Sequence, residues 1–457
     1  MAKKRNSVFV CSNCGWESAQ WLGLCGSCSS WNTLQEVVLQ ENNAQKTHKA
    51  KMAQFEKGTG NKVCSLDQVP VAGEERMLTG MGELDRVLGG GMTPGSFILL
   101  GGDPGIGKST LALQCASLLD QKKTLYVSGE ESLVQIRQRA HRLGIRNGSL
   151  RLFSENGIME IIDACRSEKP GILIIDSIQT MYHSSMQSMP GTIAQIRECA
   201  GILMQLARQE QITVLAIGHV TKEGDLAGPR VLEHMVDTVL QFEGDKQSHH
   251  RIIRTLKNRY GPAQEVGIFE MDATGLKEIS NPSELFLSEY DPKISGNAVV
   301  CSIEGTRPLL IEVQALVTPS SYGMPQRTAS GFDNRRLSLL LAVLEKRCGW
   351  QFSTHDVFLN VAGGMKITET SSDLGVACAL VSSLSGKAPG EPMVMIGEIG
   401  LGAEIRRVAQ LSKRLDEAEA MGFRQALVPD GYSETRKKIN ISVVRNIDDA
   451  LNIGGLG

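Results

Sequence analysis

One glycine-rich segment constrains the fold of this chain more than any other feature. Residues 97–100, Phe-Ile-Leu-Leu, form an apolar run, and Gly-Gly-Asp-Pro-Gly-Ile-Gly-Lys-Ser follows at residues 101–109. Residues 111–119 then favour a helix, which gives the strand–loop–helix context in which backbone N–H groups and a helix N-terminus surround phosphate. The sequence therefore predicts an α/β domain with a phosphate-binding loop for ATP.

Each position of this loop has an expected role. Lys108 would reach the β- and γ-phosphates, Ser109 would ligate Mg²⁺, and Gly105 with Gly107 would let the backbone approach the nucleotide closely. The predicted ATP-binding residues are Gly102, Asp103, Pro104, Gly105, Ile106, Gly107, Lys108, Ser109 and Thr110, with Asp176 as a further contact to Mg²⁺.

Asp176 is chosen because it ends one of three further apolar runs that lead to polar residues. Residues 171–175 end at Asp176, residues 124–128 lead to Gly-Glu-Glu, and residues 212–218 lead to His219. Buried parallel strands present their C-terminal ends at one edge of a sheet. Asp176 would orient Mg²⁺, and a carboxylate after residue 128 could polarise the attacking water. His219 is either a packed core or loop residue or a sensor linking the γ-phosphate to the following loop.

Four of the eleven cysteines form two closely spaced pairs, Cys11-x-x-Cys14 and Cys25-x-x-Cys28. Four thiolates at this spacing can surround Zn²⁺ tetrahedrally, and the metal would replace a core that residues 8–36 are too few to build. The alternatives are reduced thiols or two disulfides, which are rare in cytosolic chains. The sequence predicts a structural zinc site, because four cysteines fill all four ligand positions.

The length of 457 residues suits two or three domains. We expect a zinc module at 1–40, a linker at 41–62, an ATPase domain at 63–284 and a second domain at 285–457. The linker has five lysines and two glutamates, and it is either a solvated spacer or a phosphate contact.

No apolar run is long enough for a membrane span, and no secretion signal follows the basic start, so we expect a cytoplasmic protein. The formal net charge of −2 requires any DNA contact to be local.

The glycine-rich lead-in at 82–91 resembles the RecA and KaiC superfamily. Three features narrow the resemblance: the four-cysteine module, the stretch Leu-Lys-Asn-Arg-Tyr-Gly at 256–261, and a C-terminal region similar to the Lon proteolytic domain. Over nearly its whole length the chain resembles the bacterial RadA (Sms) family. That family has phenylalanine where Tyr260 stands here, and the aromatic ring is kept. The resemblance implies a RecA-like P-loop core with a parallel sheet, a small zinc ribbon and an α+β Lon-protease-like domain.

The resemblance also implies roles for particular residues. Glu130 takes the position of the catalytic glutamate, and Glu131 becomes a solvated neighbour. Lys257 and Arg259 would neutralise charge at the ATP site of an adjacent subunit, although they could instead form a salt-bridged surface turn. The loop at 221–230 would contact DNA through Lys222 and Arg230, and residues 182–191 would form a second channel loop.

The function implied is DNA-dependent ATP hydrolysis that moves the protein along single-stranded or branched DNA in recombination and repair, including branch migration. The expected partners are DNA, a RecA-type recombinase and further copies of the chain in a hexameric ring. The expected cofactors are Zn²⁺ and Mg²⁺, with ATP as substrate. Two alternatives remain open: a KaiC-like switch acting on a protein partner, and an ATP-dependent protease.

The second domain bears on the protease alternative. Lon peptidases use a serine activated by a lysine, and alignment through Gly375 and residues 397–398 places Asp373 and Ser412 at those two positions. We therefore expect the dyad to be missing, with Ser371, Ser372 and Lys366 as candidates for a replacement. Basic residues of this domain would either form a DNA-facing surface or simply be solvated at the protein surface. They are Arg335, Arg336, Lys346, Arg347, Arg406, Arg407, Lys413 and Arg414.

Overall fold

The computed structural model divides the chain into two compact units, Met1–Glu278 and Ile279–Gly457. It describes residues 7–11, 17–18, 20–26, 31–38, 76–119, 122–146, 148–219, 230–244, 249–320, 323–432 and 436–457. The predicted linker at 41–62 lies outside these residues. Among the residues described, no helix is both long enough and apolar enough to cross a membrane.

A small antiparallel sheet forms the N-terminal part of the first unit. Its strands are β1 (Ser7–Cys11), β2 (Glu17–Ser18) and β3 (Leu34–Val38), in the order β2-β1-β3. Cys11, Cys25 and Leu34 are buried together, with Phe9 packed against them. Among the side chains that the structure describes in this module, two of the four paired cysteines therefore lie in the interior.

The rest of the first unit is built on a nine-stranded sheet. The strands are β4 (Phe97–Gly102), β5 (Thr124–Ser128), β6 (Leu150–Ser154), β7 (Ile172–Asp176), β8 (Thr213–Ile217), β9 (Thr238–Glu243), β10 (His250–Asn258), β11 (Val266–Asp272) and β12 (Gly275–Glu278). Their order is β12-β11-β10-β9-β4-β8-β7-β5-β6. Strands β9, β4, β8, β7, β5 and β6 are parallel, and β10 to β12 continue the sheet as an antiparallel extension.

Helices cover both faces of this sheet. They are α1 (Gly82–Val87), α2 (Lys108–Leu118), α3 (Leu133–Arg142), α4 (Ile158–Glu168), α5 (Ile193–Glu210) and α6 (Arg230–Met235). Successive side chains of a strand point to opposite faces. In β4, Phe97 and Leu99 enter the core formed with α4 and α5, and Ile98 and Leu100 enter the core formed with α1 and α2. Continuous apolar runs thus become strands buried on both faces, as predicted.

The second unit has a seven-stranded mixed sheet. Its strands are β13 (Asn297–Glu304), β14 (Arg307–Pro319), β15 (Arg327–Ser330), β16 (His355–Val361), β17 (Met393–Met395), β20 (Gln425–Pro429) and β21 (Asn440–Val444), in the order β15-β16-β14-β13-β17-β20-β21. A separate ribbon pairs β18 (Glu398–Ile399) with β19 (Ile405–Arg406). The helices are α7 (Pro282–Phe286), α8 (Asn334–Cys348), α9 (Asp373–Ser385), α10 (Leu411–Ala420) and α11 (Ile447–Ile453). This mixture of strands and helices is the α+β arrangement expected from the sequence.

Candidate nucleotide site

The phosphate loop connects β4 to α2 and depends on glycine at two tight positions. Gly102 has φ +155°, and a Cβ there would lie 2.6 Å from the carbonyl oxygen of Phe242. Gly107 has φ +121°, and its Cβ would meet the Met271 side chain at 2.5 Å. Both positions have a backbone conformation that L-residues rarely adopt, and at Gly102 the backbone of Phe242 also leaves no room for a side chain. Glycine at these points keeps the loop against the edge of the sheet.

Lys108 begins α2 and is buried within the loop. Its Nζ donates to the carbonyl oxygens of Gly102 at 2.8 Å and Asp103 at 2.9 Å. Burial lowers the pKa of Lys108 to about 8, and the carboxylates of Asp176, Asp103 and Glu130 act in the opposite direction. The ammonium group is therefore held at the centre of the loop and surrounded by oxygen atoms, as a phosphate-binding lysine requires.

Asp176 ends β7 and receives a hydrogen bond from a neighbouring strand. The hydroxyl of Tyr126 on β5 donates to Asp176 Oδ2 at 2.5 Å, and both side chains are buried. Burial first, and then the charge of Asp176, raises the pKa of Tyr126 well above its ordinary value. The carboxylate of Asp176 and the hydroxyl of Ser109 are hard oxygen donors of the type that Mg²⁺ prefers. These residues therefore fit the predicted magnesium site.

Glu130 follows β5 and is held by two side chains from other strand ends. Ser177 donates its hydroxyl to Glu130 Oε1, and His219 Nε2 lies 3.2 Å from the same oxygen. The hydrogen bond from His219 is the largest cause that lowers the pKa of Glu130 to about 2, aided by Ser177 and by the charges of His219 and Lys108. The Glu130 side chain is 40% exposed. It is thus an ionised acceptor that water can reach.

Glu131 has a different environment from Glu130. Its carboxylate forms an ion pair with Arg139 on α3, and its backbone N–H donates to Ser128 Oγ at 2.9 Å. The sequence predicted a solvated neighbour, whereas the structure shows a paired and half-buried group. Because Arg139 occupies its carboxylate, Glu131 is the poorer candidate for contact with a nucleotide.

Lys257 and Arg259 lie at the end of β10, and each has partners within its own subunit. Lys257 Nζ donates to the carbonyl oxygens of Glu233 and Val236 at 2.7 Å each, which caps the C-terminus of α6. Burial lowers the pKa of Lys257, and the charge of Arg259 adds to this effect. Arg259 Nη1 lies 3.4 Å from Asp237 Oδ1, and its side chain remains 49% exposed. Arg259 is therefore the more accessible of the two cations.

Comparison with known proteins decides the family. Family models match residues 82–225 as an AAA domain, residues 9–36 as a rubredoxin metal binding domain and residues 320–431 as subunit ChlI of Mg-chelatase. The DNA repair protein RadA of Brucella abortus is 48% identical, over 97% of this chain and 96% of its own. The RadA proteins of Bacillus subtilis and Escherichia coli are each 44% identical over 99% of this chain, covering 100% and 99% of their own.

The chain belongs to the DNA repair protein RadA family. The AAA match includes the phosphate loop, Glu130 and Asp176, so the site just described lies in a P-loop ATPase domain. A crystal structure of the RadB recombinase is also similar, with 25% identity, 45% of this chain and 100% of its own covered, and a TM-score of 0.37. A score this low supports no conclusion about the present chain.

The residues predicted to contact DNA lie largely outside what the structure describes. Lys222 falls in residues 220–229, which are outside the described ranges. Arg230 is the first residue of α6, and its side chain is likewise not described. The DNA contacts of this RadA-family chain therefore remain predictions from the sequence.

The metal-binding match covers the four paired cysteines. Cys14 and Cys28 lie outside the described residues, whereas Cys11 and Cys25 are buried in one cluster. The Cys11 thiol lies 3.1 Å from Thr33 Oγ1. Cys11 ends β1 and Cys25 lies between β2 and β3, and their two buried sulfur atoms are donors of the kind that Zn²⁺ prefers. The described part of the module is thus compatible with a zinc site.

The sequence did not identify Arg251 as part of the nucleotide site. This buried arginine on β10 donates from Nε to the carbonyl oxygen of Ile106 in the phosphate loop, at 3.1 Å. The signal in the sequence was an arginine within an apolar strand. The residue that Arg251 contacts, Ile106, is 145 positions away in the sequence. Tyr126 was missed for a similar reason, since a tyrosine in an apolar run is ordinary core composition.

The second unit fills the two Lon dyad positions with bonded side chains. Asp373 is fully buried, accepts from Arg336 Nε at 3.0 Å and forms an ion pair with that guanidinium. Burial raises the pKa of Asp373 and the pairing with Arg336 opposes this. Ser412 Oγ accepts from Arg436 Nη2 at 2.8 Å. The serine position thus lacks a hydroxyl nucleophile, and the lysine position lacks an amine that could activate one.

The alternative serines are also engaged. Ser371 is buried and accepts from Arg414 Nη1 at 3.0 Å, and its hydroxyl donates to Glu369 at 3.1 Å. Ser372 donates to the carbonyl oxygen of Glu369 at 2.9 Å. The described hydrogen bonds of both hydroxyls go to groups other than lysine, and Lys366 is exposed. This arrangement gives no support to a peptidase.

One of the basic residues expected on the surface of the second unit is not there. Arg414 is 1% exposed and pairs with Glu369 at 2.9 Å. The prediction of a surface role was wrong for Arg414, because an acidic partner distant in sequence stabilises its charge inside the protein. A buried guanidinium is not available to DNA phosphates. Arg336 remains 23% exposed, and its guanidinium pairs with the buried Asp373.

Proposed function

We propose that this RadA-family protein is a Mg²⁺-dependent ATP hydrolase that works on DNA in repair and recombination, in the cytosol. The observation that carries the proposal is the geometry of Glu130. Its ionised carboxylate is oriented by Ser177 and His219, and Lys108 is close enough to lower its pKa further. A water-facing carboxylate beside a phosphate loop is the arrangement needed to orient water for attack on a γ-phosphate.

The chain's own residues divide the work of hydrolysis. The phosphate loop and Lys108 would bind the β- and γ-phosphates, while Ser109 and Asp176 would hold Mg²⁺, which supplies positive charge for the transferred phosphoryl group. Glu130 would accept a hydrogen bond from the attacking water. With a pKa of about 2, Glu130 is a weak base. Its role is therefore to orient and polarise the water rather than to remove a proton before attack.

His219 supplies the proposed connection between ATP and DNA. It contacts Glu130 through its ring, and its backbone carbonyl accepts from Gln179 Nε2 at 3.3 Å. The loop predicted to contact DNA through Lys222 and Arg230 follows His219 directly in the sequence. If hydrolysis changes the contact between Glu130 and His219, it would therefore also shift the start of that loop. This coupling is the basis for a DNA-dependent motor.

We further propose that the active form is a homo-oligomer, a hexameric ring, in which Lys257 and Arg259 reach the nucleotide of a neighbour. Arg259 is half-exposed and its contact with Asp237 is long, so its guanidinium is available for exchange onto phosphate. Lys257 would leave the α6 carbonyls on assembly. The proposed DNA substrates are single-stranded and branched DNA, the proposed partner is a RecA-type recombinase, and the proposed process is branch migration. Zn²⁺ would be held by Cys11, Cys14, Cys25 and Cys28.

The test is steady-state ATP hydrolysis with and without single-stranded DNA, using Lys108→Ala as the blank. We expect slow turnover without DNA and faster turnover with it, abolished in Lys108→Ala and weakened in Lys257→Ala. Equal rates with and without DNA would reject the DNA motor and favour a KaiC-like switch on a protein partner. Casein included as a second substrate should stay intact, and its cleavage would revive the protease alternative.

A further inference from the structure

Tyr126 donates a buried hydrogen bond to Asp176 that a phenylalanine could not donate. Tyr126 packs in the core formed with α1 and α2, beside Ile172 and Ile174. Tyr126 is paired with Ile174 across the parallel strands β5 and β7, and Asp176 lies two residues further along β7 on the same face. A phenyl ring would fill the same space, so the hydroxyl group is the feature to explain.

Burying a hydroxyl group is unfavourable unless it is bonded, and here its acceptor is a carboxylate. Tyr126 is 1% exposed and Asp176 is 4% exposed, with 2.5 Å between the two oxygen atoms. A hydrogen bond from a neutral donor to an ionised acceptor is short and strong. Because it engages only Oδ2, this bond fixes the rotation of the Asp176 carboxylate about χ2. The hydrogen bond from Tyr126 leaves the other oxygen, Oδ1, for a second ligand.

We propose that Tyr126 is a positioning residue for Mg²⁺, acting through Asp176. The inference rests on the proposed nucleotide site and extends it to a residue that would not itself touch nucleotide or metal. The donated hydrogen bond holds Oδ2, so that the second oxygen would be available to Mg²⁺ in one fixed rotation of the carboxylate. Partners that orient metal ligands in this way typically contribute 10–100-fold to metal affinity.

The probe is the Mg²⁺ dependence of nucleotide binding, followed with a fluorescent ATP analogue under non-hydrolysing conditions. Tyr126→Phe should raise the Mg²⁺ concentration at half-saturation by about 10–100-fold and should leave binding in the absence of Mg²⁺ unchanged. Turnover at saturating Mg²⁺ should return close to that of the unaltered protein. Tyr290→Phe, which removes a phenol hydroxyl from the second unit, is the matched control and should leave the Mg²⁺ dependence unchanged.

A double-mutant cycle separates positioning from a general loss of packing. If Tyr126 acts through Asp176, adding Tyr126→Phe to Asp176→Asn should cause no further shift in half-saturation. An additive shift, or an unchanged Mg²⁺ dependence in folded Tyr126→Phe, would overturn the proposal. Thermal unfolding without metal reports whether each variant is folded. Failure of the unaltered protein to bind the analogue with Mg²⁺ would instead reject the proposed function, so the two failures are distinct.

Discussion

The two units of this protein use their buried polar side chains differently. In the first unit Lys108, Asp176 and Arg251 are buried but border the phosphate loop, at the edge where strands end. In the second unit Asp373 and Arg414 are buried and bonded to other side chains of the interior. In the first unit the buried charges face the candidate nucleotide site. In the second unit they are neutralised by oppositely charged side chains.

This difference bears on where we propose that the chemistry occurs. Catalysis needs oriented groups that remain available to a substrate. Glu130 is oriented by two neighbours and still reaches water, whereas Ser371 is bonded to Arg414 and Glu369 inside the protein. In the second unit one of the two dyad positions is held in an ion pair, Asp373 with Arg336, and the other accepts a hydrogen bond, Ser412 from Arg436.

Glu130→Gln tests whether the oriented carboxylate of the first unit acts on the attacking water. Glutamine keeps the size of the side chain but loses the charge that polarises water, so kcat for ATP hydrolysis should fall by about 10²–10⁴-fold while ATP binding persists. Glu131→Gln is the matched control and should have a much smaller effect, because Glu131 pairs with Arg139. If Glu131→Gln were the more damaging of the two, the assignment of the catalytic carboxylate would be reversed.

Arg336→Ala tests whether the second unit relies on its internal ion pair. Removing one partner leaves the fully buried Asp373 without its counter-charge, which typically costs about 3–5 kcal/mol. Hydrogen exchange of peptides from α9 should show lost protection within Ile279–Gly457, and the Mg²⁺-dependent binding of nucleotide should be retained. Arg335→Ala, at an exposed neighbouring position, should be close to neutral. Equal loss of protection in both variants would mean that the pair has no special role.

The smallest expected effect is that of Arg251→Lys. Lysine keeps the positive charge but lacks the Nε–H that donates to Ile106, so ATP affinity should fall by about three- to tenfold, the value of one hydrogen bond. Equilibrium binding of a fluorescent ATP analogue measures this change. Arg254→Lys on the same strand is the control, since Arg254 faces Glu243 instead. Unchanged affinity in Arg251→Lys would show that the loop is held by its glycines alone.

The sequence predicted those parts of the fold and site that are encoded locally. The apolar runs before Gly102, Glu130, Asp176 and His219 became parallel strands, because continuous hydrophobic segments suit a sheet buried on both faces. Because these parallel strands end at the same edge of the sheet, the residues that follow them lie close together. His219 lies beside Glu130, a proximity that supports the proposed sensor role rather than an ordinary loop residue.

The features that the sequence could not predict depend on partners distant along the chain. Asp373 follows Arg336 by 37 positions, and Glu369 precedes Arg414 by 45. Composition alone places an arginine on the surface, and only the folded chain shows that a carboxylate meets it inside. The cap that Lys257 forms on α6 was missed in the same way, since a lysine in a basic motif suggests phosphate rather than backbone carbonyls.

Strand β10 links two of these features physically. Arg251 near its start contacts the phosphate loop, and Lys257 and Arg259 follow at and just beyond its end. Lys257 lies six positions after Arg251, which corresponds to about 20 Å of extended chain. Strand β10 pairs with β9 up to Asn258 and with β11 up to Arg254, and its register with β9 shifts between Thr255 and Lys257. In the proposed ring, this one strand would connect the pocket of one subunit to the cations that we propose reach the next.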